Sequence, residues 1–241
     1  MSNLAILFWG ELERMKKYHI LTASIVAALI LFGVHYLINI DDVTSLFPLL
    51  LFIDATSMSI LLIGATVFFE KQEGVLKSFL VSPLKKSEYI IAKTLANVAT
   101  NLISLILLYF LTQLVKEVQI NLLGLLGGVF IISLFHSLVG FYLTYQTKSF
   151  TDLLVVIFKY FIILLIPVLF DSLGLIKSQL LSNLICILPT KASLTIMNSA
   201  AGVVSSQSGY LSAFYLLFLA ILLYRWIENH FQEFAIKESG V

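Results

Sequence analysis

The chain has 241 residues, of which 59% are hydrophobic and only 12% charged, and its mean hydropathy is +0.99. A soluble domain carries about a quarter charged residues, so this composition excludes one and indicates an integral membrane protein. A net charge of +1 provides no basic field for nucleic acid; the lone Cys186 excludes an intramolecular disulfide and a cysteine-based zinc site, and is expected as a small packing residue.

In chain order, residues 1–17 predict an interfacial helix leading into the first span. Leu4, Phe8, Leu12 and Met15 recur at helical spacing, Glu11 and Arg14 fall elsewhere on the wheel, and Trp9 suits the headgroup level. The positive charges follow the apolar residues and no small-residue cleavage site is evident, which argues against a signal peptide.

Six apolar runs then reach the roughly twenty residues needed to cross a bilayer. They cover Ile20 to Ile38, Phe47 to Phe69, Tyr89 to Val115, Leu122 to Tyr145, Leu153 to Phe170 and Tyr210 to Trp226. The runs are continuous rather than alternating, so they predict helices and not barrel strands. Eleven lysines and arginines fall on one side of these spans, against only Lys116, Lys177 and Lys191 on the other. That asymmetry places both termini and the loop after the second span in the cytoplasm, and the loop with Asp41 and Asp42 outside.

The loop of residues 70–88 is the most informative polar stretch. Residues 73–81 predict a short amphipathic helix with Val75, Leu76, Phe79 and Leu80 on one face, a Glu73–Lys77 pair on another, and Pro83 as its stop. The external segment 171–209 is oddly apolar and predicts one or two short re-entrant helices broken at Pro189, then an exposed turn over AAGVVSSQSG. Within the spans, Gly124 and Gly128 allow close helix approach, Pro167 should kink the fifth span, and Lys159 can snorkel to the surface.

Polar residues inside a membrane are costly and therefore informative. Asp54 and Ser57 share a face of the second span. On the third, Lys93, Asn97, Thr100, Asn101 and Ser104 form one stripe that must face other helices or a wet cavity. These residues are candidates for a substrate path or a subunit interface, with plain interhelical hydrogen bonding as the alternative. No constellation for catalysis stands out: the four histidines are scattered, no metal is implied, and neither G-x-S-x-G nor a phosphate-binding G-x-x-x-x-G-K-[ST] occurs.

Glu70, Lys71, Gly74, Leu76, Leu80, Ser82, Pro83 and Leu84, with Lys93 ten residues beyond Pro83, resemble the loop after the second span in ABC-2 type transporter permeases, the membrane subunits of type V ABC exporters. That family usually has arginine and threonine where this chain has Lys71 and Val75. The layout is similar too, over the whole length. The resemblance implies one all-α transmembrane domain over 1–241, with an interfacial helix, six spans, a coupling helix between spans two and three, external re-entrant helices before span six, and no nucleotide-binding domain. It implies a multi-pass permease in a prokaryotic plasma membrane, not itself an enzyme. It would export a drug-like, peptide or lipid-linked substrate as a dimer with itself or a homologous permease, surrounded by membrane lipids. Separate ABC ATPase subunits would bind the ATP and Mg and dock at Glu70, Glu73, Gly74, Leu76, Phe79, Leu80 and Pro83. The alternative is a proton-coupled secondary transporter or membrane-embedded enzyme using Asp54 and His136.

Overall fold

The computed structural model describes residues 3–37, 43–115 and 120–236, and over these the chain is helical without strands. The predicted acidic loop at Asp41 and Asp42 lies outside the described residues. Twelve helical segments follow in order: α1 (Asn3–Lys17), α2 (Ile20–Leu37), α3 (Val43–Gln72), α4 (Val75–Leu80), α5 (Lys86–Val115), α6 (Leu122–Tyr145), α7 (Phe150–Tyr160), a π-helical turn (Phe161–Leu165), α8 (Ile166–Ser172), α9 (Gln179–Ile185), α10 (Pro189–Ala200) and α11 (Ser206–Ile236).

Five stretches among the described residues are long and apolar enough to cross a membrane: Leu46–Gln72, Lys86–Val115, Leu122–Tyr145, Phe150–Ser172 and Ser206–Ile236. Two further pairs reach that standard only jointly and are sharply bent, α1 with α2 by 66° and α9 with α10 by 86°. The first bend turns on His19, which adopts φ +58°, and the second on the break before Pro189, which starts α10 where its missing N–H costs nothing.

The core is built on α3 and α6, with α5 packed across α1, α2 and α6, and α10 held among α3, α6 and α11. The close approach of α10 depends on Gly128. A Cβ there would stand 3.0 Å from Met197 Sδ and 3.1 Å from Ile196 Cγ2, so the expected close contact at the Gly124–Gly128 spacing is made by α10. The outward faces of α2, α8 and α11 carry Ile30, Phe170 and Phe214, all exposed, as a lipid-facing surface requires.

Pro167 acts as expected, though through a wider turn than a simple kink. The helix passes through the π turn just before it, where Ile166 N–H reaches back to Phe161 O, and the loosened Leu164 carbonyl accepts the Thr190 hydroxyl of α10. Other expectations are corrected. Cys186 is exposed rather than packed. Residues 206–209 open α11 instead of belonging to the turn, which ends at Ser205. The interfacial helix turns Glu11 and Met15 inward against α5, so its buried face is not purely apolar.

Candidate functional site

The loop between α3 and α5 is organised by Gly74. It adopts φ +75°, a conformation open to glycine, and closes α3 with Gly74 N–H donating to Lys71 O at 3.1 Å. This break is why α4 starts at Val75 rather than 73. It also separates Glu73 from Lys77, so the expected pair does not form, and the Glu73 carboxylate instead accepts from Tyr18 OH at 3.2 Å. That bond holds the exposed Tyr18 hydroxyl above the usual phenol range. Beyond α4, Glu88 accepts from Lys85 N–H at 3.0 Å and starts α5.

The apolar face of α4 turns into the chain's own body. Leu76 is buried, and Leu80 is half-buried against the core. The Phe79 ring lies 5.2 Å from Tyr89 of α5 and 5.8 Å from Phe231 of α11. On the outer side, Lys77 and Ser78 are exposed, Val81 is 88% exposed, and Pro83 is also exposed. Beside them a groove of about 350 Å³ is lined by Leu80, Leu84, Lys85, Lys86, Glu228 and Gln232, among others.

Directly behind α4 lies a network of buried charges that sequence reasoning recognised only in fragments. Lys93 Nζ of α5 donates to Glu11 Oε2 of α1 at 2.6 Å and to Glu70 Oε1 of α3 at 2.8 Å. Tyr89 OH, one turn earlier on α5, donates to Glu70 Oε2 at 2.5 Å. Arg14 Nη1 reaches both Glu11, at 3.0 Å, and Glu70. Glu11, Glu70, Tyr89 and Lys93 are all buried; Arg14 is half-exposed. Two carboxylates therefore meet two cations, and every charge is paired, as buried ions require. Lys71, next to Glu70, sits over the Phe234 ring of α11 at 4.0 Å and extends the tie to the last helix.

Glu11, Arg14 and Tyr89 were not singled out from sequence as site residues. The signal was present in E-x-x-R, an i,i+3 pair inside an amphipathic helix, but the partner on α5 is 82 residues away.

The stripe on α5 continues away from this network as neutral hydrogen bonds. Asn97 Nδ2 donates to Ser59 O of α3 at 3.2 Å and to Ser137 Oγ of α6 at 2.8 Å. Asn101 Nδ2 donates to Ser59 Oγ at 3.1 Å, Thr100 Oγ1 meets Met15 Sδ of α1 at 3.7 Å, and Ser104 Oγ donates to Ser24 O of α2 at 3.2 Å. All five stripe residues are buried, so within one chain the stripe faces four other helices. Asp54 is also buried and engages Ser104, while Ser57 is half-buried. His136 is buried on α6, its Nδ1 paired with Ile132 O at 2.9 Å, and no bond joins it to Asp54.

A junction of this kind ties α1, α3 and α5 together through paired charges. The comparisons agree with a transport role. The family model described as fluoroquinolones export permease protein matches residues 3–239. Two proteins named fluoroquinolones export permease protein, from Mycobacterium tuberculosis strains CDC 1551 / Oshkosh and ATCC 25618 / H37Rv, are each 29% identical over 197 residues, covering 80% of this chain and 80% of theirs. With its membrane-length helices and a match that runs almost from end to end, the chain belongs to the fluoroquinolones export permease protein family.

Proposed function

We propose that the chain is the membrane subunit of an ATP-driven exporter of the ABC-2 permease type, and that α4 is where a separate ATPase subunit delivers force. One observation supports this above the others: α4 buries Leu76 and sets Phe79 between Tyr89 of α5 and Phe231 of α11, immediately in front of the network that ties α1, α3 and α5. A push on α4 is passed from Phe79 to the Tyr89 ring and from Tyr89 to Glu70, and so to three helices at once. Packed elements shift as units rather than deform, so the push biases the bundle between two arrangements.

In this reading the spans number six, with α2 as the first and both termini in the cytoplasm of a prokaryotic cell. The α9–α10 pair dips in from outside, and two permease subunits form the pathway. ATP and Mg belong to the ATPase partner. The partner meets the outer side of α4, at Lys77, Ser78 and Val81, and the groove beside Leu84 and Lys85. Leu76, Phe79 and Leu80 act as the inner seat. The names of the relatives point to a drug-like cargo such as a fluoroquinolone.

The test is co-expression with a candidate ATPase encoded next to the gene. Val81→Asp alters the most exposed apolar side chain of the loop, so it should leave folding intact while abolishing both ATPase co-purification and cargo-stimulated hydrolysis. Unchanged co-purification and hydrolysis in that variant would remove α4 as the docking site. Transport that collapses with the proton gradient yet ignores ATP would favour the alternative through Asp54.

A further inference from the structure

The α1–α2 elbow and the last two turns of α3 enclose a crevice of about 310 Å³, at the lower end of the size of small-molecule sites. Its floor is Ile20, Ala65 and Thr66, its walls are Tyr18 and Phe69, and Arg14, Glu70 and Glu73 stand at its polar edge. The charges there are not equivalent. Arg14 is neutralised by Glu11 and Glu70, and Glu70 in turn by Lys93. Glu73 forms no ion pair among the described residues and accepts only from the neutral Tyr18 hydroxyl. The crevice thus presents one uncompensated carboxylate beside two half-exposed aromatic rings. The chain's own Lys17 ammonium already lies over the Tyr18 ring at 6.0 Å, the geometry in which an aromatic face attracts a cation.

We propose that this crevice binds an organic cation carried on a flat apolar body, with Glu73 as its counter-ion and Tyr18 and Phe69 as its walls. The apolar floor takes the body of the ligand, and the carboxylate at the edge keeps the charged end near water. An anion of the same shape meets the repulsion of Glu73 and can gain only from the exposed Lys17, since Arg14 is already engaged by its carboxylates. That such a ligand is cargo rests on the exporter reading above; that it binds does not.

The experiment uses the full chain in phosphatidylcholine nanodiscs, with empty discs subtracted. Fluorescence polarisation is followed for rhodamine 6G, a cationic xanthene, and for fluorescein, an anionic one. Rhodamine 6G should bind and fluorescein should not. Glu73→Gln should weaken rhodamine binding about fivefold, the loss of one partly exposed charge pair. Ala65→Trp, which fills the floor without altering charge, should weaken it about tenfold or more. Rhodamine binding that is absent, matched by fluorescein, or indifferent to both substitutions overturns the site. Rhodamine 6G export from cells that Glu73→Gln leaves unchanged, while binding in nanodiscs falls, overturns the cargo role of the site and leaves the exporter reading standing. Glu73-dependent binding by a protein that exports nothing with its ATPase upholds the site and sinks the exporter reading instead.

Discussion

The buried face of α5 meets its neighbours in two ways within four turns. At its start, Tyr89 and Lys93 join Glu11, Arg14 and Glu70 in a network where each charge has an opposite partner. Further along, Asn97, Asn101 and Ser104 make neutral bonds to Ser59, Ser137 and Ser24, and the side-chain carbonyl oxygens of both asparagines find no partner among the described residues. The difference follows depth. Charges are tolerated near a helix end, where long side chains reach the boundary and a fixed geometry can be enforced. Deeper in, neutral amides and hydroxyls bind the helices at a smaller cost if a bond is lost. The first region ties three helices through paired charges, and the second joins them through weaker neutral bonds.

The sharpest way to break this contrast is Lys93→Met. It leaves Glu11 and Glu70 buried with Arg14 as the one remaining cation, and removing one member of a buried ionic group costs about 3–5 kcal/mol. Thermal unfolding in detergent should show that loss. Adding Glu11→Gln restores neutrality, so the double variant should be more stable than Lys93→Met alone, a coupling that separate structural defects do not produce. Equal or additive losses would mean that the network is not acting as a unit.

Much of this architecture was legible in the chain. Apolar run length locates five of the six expected membrane-crossing helices among the described residues, the run from Ile20 reaching that standard only together with α1, and the α5 stripe was visible as a polar face. Depth and partners were not. Glu11 lies on a helix whose apolar spacing suggested only a membrane surface, yet its carboxylate is completed by Lys93, and no local pattern records that pairing. The apolar face of α4 was legible as a packing face but not its direction. Leu76 and Phe79 could fill a partner's groove or their own core equally well by periodicity, and the aromatic cluster of Tyr89 and Phe231 that receives Phe79 is assembled from α5 and α11. The start of α4 moved because one backbone angle at Gly74 outweighs the helical spacing around it.

In the neutral region, Asn97→Ala should cost much less. It removes two donor contacts, to Ser59 O and Ser137 Oγ, and membrane hydrogen bonds are worth about 0.6 kcal/mol on average and about 1.7 at most. Part of even that is offset, because the substitution also removes the unpartnered Asn97 Oδ1. Denaturant unfolding in mixed micelles should therefore place it at about 1 kcal/mol, roughly a quarter of the Lys93 effect. A loss as large as that of Lys93→Met would erase the distinction between the two regions.

The smallest effect is expected inside the charged network itself, at Arg14→Lys. Arginine is irreplaceable where its planar fork grips a carboxylate through two nitrogens, but here Nη1 alone serves both Glu11 and Glu70. A single ammonium can do the same, and Arg14 is partly open to water, where a change of geometry is screened. Stability should change by less than about 1 kcal/mol. What holds α1 against α3 is then the pairing of charges at this edge, with Lys93 as the buried cation that cannot be spared. If Arg14→Lys instead matches the loss at Lys93, the guanidinium plane is itself part of the joint, and the division of the α5 face into a strongly tied charged end and a weakly tied neutral one has to be redrawn around α1.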